Sequence, residues 1–171
     1  LAIDSINRRS ISGYVYDYFY KPLGLTNIGY KPLNRYSKNA IIPTEEDKYW
    51  RNQTLRGYVH DPTAALFGGV GGNAGVFSNA HDIGVIFQML LNQGSYGGKR
   101  YLQSATVNKF ISRQPDSNRG LGFDMKQRKA IVAASASNRT FGHTGFTGTC
   151  VWADPDNNLI FVFLSNRVNP S

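Results

Sequence analysis

Cysteine is almost missing from this chain. Cys150 is the only one in 171 residues, which excludes an internal disulfide and leaves the redox compartment open. Its place in an apolar, β-prone stretch predicts a buried, inert thiol rather than a nucleophile. Acidic residues are also scarce, 11 against 19 Lys and Arg, for a net charge of +8. The basic residues occur as small scattered groups, Arg8-Arg9, Lys99-Arg100, and Lys126 with Arg128 and Lys129. No stripe with interleaved aromatics forms, so a solvated surface is expected and no nucleic-acid partner. No run approaches the ~20 apolar residues of a membrane-spanning helix, and no transmembrane segment is expected. Repeats and low-complexity tracts are lacking too. The three histidines, His60, His81 and His143, share no ligand spacing such as i, i+4, so neither a metal nor a cofactor is expected. Gly69-Val70-Gly71-Gly72-Asn73-Ala74 has the form of a dinucleotide loop, but no apolar strand precedes it and no βαβ unit surrounds it. It predicts a tight backbone crossing instead.

The 41% hydrophobic content is enough for one domain-sized core. Ser10 to Phe19 predicts the end of an aromatic-rich helix, stopped by Pro22 and Gly24. From there to Pro62 the chain is polar and predicted irregular, either a segment facing a substrate or a surface loop. His60 and Asp61 precede Pro62, where Asp61 suits a turn. A helix is predicted from an N-cap at Ser78, with Ile83, Ile86, Phe87, Leu90 and Leu91 on one face and Gly94 as its stop. His81, in its first turn, is predicted to be exposed. A shorter helix is predicted from Ser104 with Val107, Phe110 and Ile111 inward, then a strand over Gly120–Met125. The clearest feature is a β-hairpin. Phe141-Gly142-His143-Thr144-Gly145-Phe146 leads into Thr149–Trp152, Asp154-Pro155-Asp156-Asn157-Asn158 turns, and Leu159–Leu164 returns. A His-Thr-Gly triplet on such a strand offers an imidazole, a hydroxyl and close backbone approach, which suits an edge lining a cleft.

These residues resemble the serine hydrolase family that includes β-lactamases and penicillin-binding proteins. The resemblance runs in order through Phe19–Leu25, Gly57–Pro62, Gly69–Ser78, the triplet, and Leu164-Ser165-Asn166-Arg167, covering nearly the whole chain. It is most similar to the branch found behind family 3 glycoside hydrolase domains. The fold implied is α+β, an antiparallel sheet flanked by helices, with residues 1–171 its C-terminal portion. In that family a Ser-x-x-Lys supplies nucleophile and base, and a Tyr-x-Asn follows. Neither motif occurs here; Ser5-Ile6-Asn7, at the extreme N-terminus, has the related Ser-x-Asn form. The resemblance therefore implies that Leu1 is a cut point, that the nucleophile belongs to an upstream half of the same polypeptide, and that a further helix belongs after Ser171. It also implies periplasmic, secreted or membrane-anchored location. Carried over residue by residue, His143 gives a positive or hydrogen-bonding group near the nucleophile, Thr144 a hydroxyl to a substrate carboxylate or carbonyl, and Phe146 a backbone N–H to the oxyanion hole. Gly145 lets substrate approach. His in place of Lys tilts the expected substrate from β-lactams toward esters or amides, because a neutral imidazole holds a carboxylate less strongly than an ammonium. The alternative is a non-catalytic interaction or cell-wall-binding module. In either case the return strand, apolar on both faces, predicts a second copy as partner in a homodimer.

Overall fold

The computed structural model describes residues 2–127 and 132–170, so Arg128 and Lys129 of the third basic group lie outside the described residues. The chain divides into two compact units, 1–82 with 165–171 and 83–164.

In the first unit, α1 (Ala2–Asn7) precedes α2 (Ile11–Val15), whose N-cap is Ser10, its hydroxyl accepting from Gly13 N–H at 3.1 Å. The helix then widens into a π-helical turn over Tyr16–Tyr20, closed by Lys21 N–H to Tyr16 O at 2.9 Å. Tyr20 is buried, as are Leu23, Leu25 and Ile28 after it. Burial, and secondarily Tyr30, push its phenol up to about 12, so it stays neutral. Strand β1 (Gly29–Tyr30) pairs antiparallel with β4 (Val76–Phe77).

Between them the polar stretch is more ordered than expected. β2 (Pro43–Asp47) and β3 (Gln53–Arg56) form an antiparallel hairpin with a bulge between Pro43 and Glu45. Its order comes from charge rather than apolar alternation. Asp47 accepts from the backbone N–H of Tyr49 at 3.0 Å, Trp50 at 2.9 Å and Arg51 at 3.2 Å, and from Arg51 Nε at 2.5 Å. The Arg51 side chain, then the turn N–H groups, hold the Asp47 carboxyl far below the usual range against the opposing effect of burial. Arg51 also bonds Glu45 at 3.0 Å and Val59 O at 2.8 Å, and His60 Nε2 meets Glu45 at 3.0 Å. The tip so fixed exposes Tyr49 and Trp50.

Asp61 does fix a turn, as the N-cap of α3 (Pro62–Leu66). It accepts from Ala64 N–H at 2.7 Å, the main cause of its lowered pKa, and from Asn73 Nδ2 at 3.0 Å. The glycine segment beyond is a tight crossing: a Cβ on Gly75 would lie 2.6 Å from Gly69 O.

Helix α4 (Ala80–Leu91) starts later than expected. Its cap is Asn79, whose Oδ1 accepts from Asp82 N–H at 2.9 Å, not Ser78. Phe77 is still paired in β4, so the backbone turns helical only after Ser78. Asp82 in turn accepts from Asn27 N–H at 2.7 Å, and His81 is exposed as predicted.

In the second unit α4 buries Val85, Phe87, Met89 and Leu90 fully, while Ile83, Ile86 and Leu91 are half-buried, so the inward face is rotated from the expected stripe. The helix ends with Gly94 N–H on Met89 O at 2.8 Å and Gln93 N–H on Leu90 O at 3.0 Å, Gln93 rather than Gly94 being the first left-handed residue. The small hairpin of β5 (Ser95–Tyr96) and β6 (Lys99–Arg100) follows. Helix α5 (Ser104–Ile111) buries Val107 and Ile111 at i, i+4, but Phe110, one position short of that line, faces solvent, contrary to expectation. The predicted strand over Gly120–Met125 shrinks to β7 (Asp124–Met125), because Gly120 N–H bonds Phe123 O at 3.0 Å and curls the chain.

The main sheet is antiparallel in the order β10-β9-β8-β7, with β8 (Phe141–Thr144), β9 (Thr149–Asp154) and β10 (Leu159–Leu164). Phe141, fully buried, packs against Phe87 at 5.8 Å and Phe123 at 5.2 Å between ring centroids. Full burial of such side chains contributes about 1.5–3 kcal/mol each. The β9–β10 turn is organised by Asp154, which accepts from Ser137 N–H at 2.7 Å and Asn157 Nδ2 at 2.7 Å. Burial raises its pKa, but the bonds from Ser137 and Asn157 outweigh it and the net shift is downward. Cys150 is half-buried, more open than predicted. On β10, Leu159, Phe161 and Phe163 are exposed, whereas Ile160 and Val162 between them are half-buried.

Candidate active site

The triplet sits where the sheet narrows. β7 pairs only with the first half of β8, Asp124 opposite Gly142 and Met125 opposite Phe141, while β9 runs along all four residues of β8. The hydrogen bonds fix which way each main-chain group points. Gly145 N–H bonds Thr149 O at 2.7 Å and Lys126 N–H bonds Thr140 O at 2.9 Å. Counting in twos along the antiparallel ladder, Phe141 and His143 direct their backbone groups to β9, and Gly142 and Thr144 direct theirs the other way. Gly142 meets β7. Thr144 lies two residues beyond its end, so the strand becomes an edge at the triplet, as the sequence predicts.

Side chains alternate across the sheet, so His143 and Thr144 stand on opposite faces. His143 shares its face with Phe141, Val151 and Ala153; Thr144 shares the other with Cys150 and Trp152. Both are exposed. At Gly142 the Trp152 ring crosses the strand, and an added Cβ would lie 2.6 Å from that ring and 2.0 Å from Val151 O. At Gly145 it would lie 2.3 Å from Thr149 Oγ1. These two glycines let β8 and β9 approach closely around the triplet. Gly145 opens a turn closed by Gly148 N–H to Gly145 O at 3.1 Å, with Phe146 in its second position and its ring exposed.

His143 is held at both ends. Its Nδ1 lies 2.6 Å from Thr144 O and its Nε2 lies 3.0 Å from Arg119 Nη2. Arg119 is paired in turn with the carboxylate of Asp124, and the two residues face each other in an isolated bridge. Arg119 was not legible as a site residue. It lies 24 positions before His143, and only the curl over 119–124 brings it back to the strand.

Among the described residues no three His, Cys, Asp or Glu side chains gather as a metal site, and no helix is long and apolar enough to cross a membrane. Two concavities, of about 550 Å³ at residues 113–118 and about 560 Å³ beside Trp50 and Tyr58, do not include the triplet.

The comparisons with known proteins agree with this architecture. Among solved structures the chain is similar to a penicillin-binding protein homologue from Caulobacter crescentus, with a TM-score of 0.66, 15% identity, and coverage of 95% of this chain and 48% of that one. It is similar also to a β-lactamase from Mycobacterium bovis, with a TM-score of 0.64, 18% identity, and coverage of 97% and 52%. At such identities the likeness is one of fold, and it supports the α+β arrangement of antiparallel sheet and flanking helices. By sequence it is 38% identical over 181 residues to a Salmonella agona protein named a candidate D-alanyl-D-alanine carboxypeptidase, and 37% identical to its namesake in Salmonella typhi. Each alignment takes in 96% of this chain but 42% of the relative, so the chain spans about two fifths of their length. The family model described as Beta-lactamase matches residues 2–171, and with the triplet on its sheet edge the chain belongs to that family of serine hydrolases.

Proposed function

We propose that this chain forms the triplet side of an acyl-enzyme active site that cleaves peptides or esters, with the nucleophilic Ser and its Lys supplied by residues upstream in the same polypeptide. The observation that carries the reading is the edge at Thr144: a strand end with its main-chain groups turned from β9, beside an anchored imidazole. An extended substrate can add to such an edge as a further strand. Thr144 Oγ1 then donates to a substrate carboxylate or carbonyl, and Phe146 N–H stabilises the oxyanion, while Gly145 holds β8 close to β9 behind them. The absence of Ser-x-x-Lys from these 171 residues, and relatives more than twice as long, support the upstream placement. The relatives' name favours peptides ending in D-alanine as substrates, and with such substrates a periplasmic, secreted or membrane-anchored protein is the reading that fits. Fusion behind a family 3 glycoside hydrolase is a further arrangement that reading the upstream sequence tests directly.

The test uses the full-length protein with a fluorescent penicillin and a synthetic peptide ending in D-alanyl-D-alanine. The expected result is one covalent adduct on the Ser of an upstream Ser-x-x-Lys, mapped by mass spectrometry, and release of the terminal residue. A protein that is neither acylated nor able to trim the peptide refutes the reading and leaves the non-catalytic module.

A further inference from the structure

We propose that Arg119 is a positioning residue for the triplet, holding His143 in its Nδ1–H tautomer with the Nε2 lone pair turned to the guanidinium. This rests on the reading of His143 as a site residue. The argument is one of donors and acceptors. Thr144 O, 2.6 Å from Nδ1, can only accept, so the proton of that contact must sit on the ring. Arg119 Nη2, 3.0 Å from Nε2, can only donate, so that nitrogen must present its lone pair. Each contact alone leaves the ring free to pivot about the other end. Together they fix the ring's tautomer and its plane, since the two nitrogens flank Cε1 and their in-plane bonding directions diverge.

The Arg119 fork is itself fixed from behind. Its Nη1 meets the Asp124 carboxylate, and Asp124 is a residue of β7 paired with Gly142, the neighbour of His143 on β8. The relay Asp124, Arg119, His143, Thr144 O therefore starts and ends on adjacent strands of one sheet. Asp124 is three-quarters buried, whereas Arg119 is half-exposed, so the carboxylate is the anchor and the guanidinium the arm. Loss of the arm removes a charge-assisted bond without removing core packing.

The tautomer is read directly by imidazole nitrogen spectra of the purified full-length protein labelled with nitrogen-15 in histidine, with His143→Gln identifying the His143 signal by its disappearance. The expected spectrum shows a protonated Nδ1 and a bare Nε2 for His143. Arg119→Met should give an averaged pair of signals, Asp124→Asn a partial change, and Arg119→Lys should restore the wild-type pattern because it returns a cationic donor. On turnover, Arg119→Met should lower kcat/KM about tenfold, the effect of one charged hydrogen bond, with Arg119→Lys recovering most of it. A bare Nδ1 in the wild type overturns the proposal, as does a pattern that Arg119→Met and Asp124→Asn both leave unchanged. The spectra need no activity, so the two readings fail separately. An Nδ1–H imidazole in a protein that no penicillin acylates upholds the geometry and refutes the catalytic reading; an averaged imidazole in an acylated protein does the reverse.

Discussion

Replacing Gly142 by Ala adds one methyl group where β8 and β9 leave no room for it. The new Cβ would sit 2.0 Å from Val151 O and 2.6 and 2.8 Å from two atoms of the Trp152 ring. Neither obstacle is the loose end of a flexible chain: one is backbone in the paired strand, the other a buried indole. The strands must separate or the indole must leave its place, and such overpacking costs about 1–3 kcal/mol, here toward the upper end. For a chain of this length each kcal/mol moves Tm by about 2–4 °C, so a fall of about 6–12 °C is expected. Gly84→Ala in α4 is the matched control. Its Cβ would meet nothing within 4 Å, and the helix gains about 1 kcal/mol by propensity, so Tm should rise by about 2–4 °C. Thermal unfolding followed by circular dichroism reads both. A Gly142→Ala protein that melts within 2 °C of wild type, alongside a stabilised Gly84→Ala, would show that Trp152 does not lie across the triplet strand, and the edge geometry at Thr144 would fall with it.

Other expectations follow from the same contacts. Thr144→Val in the full-length protein should lower kcat/KM about tenfold with Tm unchanged, since one exposed hydroxyl is lost; unchanged turnover would make the triplet structural. Asp154 has its pKa lowered by folding, so its contribution to stability is complete above the unfolded carboxylate value of about 3.9 and is lost as pH falls below it. The gap between the urea midpoints of wild type and Asp154→Asn should therefore hold above pH 5 and narrow progressively as pH falls below about 4, and a gap still constant down to about pH 2 would contradict the assignment. The 171 residues by themselves, holding no Ser-x-x-Lys, should not be acylated by fluorescent penicillin, and a labelled band would overturn that. The same segment should self-associate through Leu159, Phe161 and Phe163, so light scattering should show a species above 19.0 kDa that Phe161→Thr with Phe163→Thr reduces to a monomer; a monomeric wild type would refute it.

What could be read from sequence was whatever local chemistry decides. The β9–β10 hairpin follows from Asp154-Pro155-Asp156-Asn157-Asn158 between apolar runs, and α4 from its apolar spacing, because both signals are short-range. The β2–β3 hairpin was illegible because Pro43-Thr44-Glu45-Glu46-Asp47 has no apolar alternation; it is organised by Arg51, a residue of the tip. Asn79 rather than Ser78 caps α4 because pairing of Phe77 holds the chain extended for one more step, which is a tertiary decision. Phe110 and Ile111 fit the helical template equally well, and only the packing selects Ile111. The triplet was found as a motif, but Arg119 has no motif, and nothing in Arg119-Gly120-Leu121-Gly122 announces that the chain curls back to a histidine.

The brevity of β7 sets how much the sheet edge can recognise. With two residues paired, the sheet is four strands wide at Gly142 and three at Thr144, leaving a single rung for an added chain. That rung is half spoken for, because the Thr144 carbonyl already receives His143 Nδ1. What it offers is a donor, the Thr144 N–H, beside a second donor in the hydroxyl. An edge of this kind favours acceptors, since all it holds out to a ligand N–H is the remaining lone pair of one carbonyl. One rung also cannot read a sequence. Discrimination among ligands must then come from side chains that flank it, leaving the backbone to register only that a carbonyl or carboxylate has arrived.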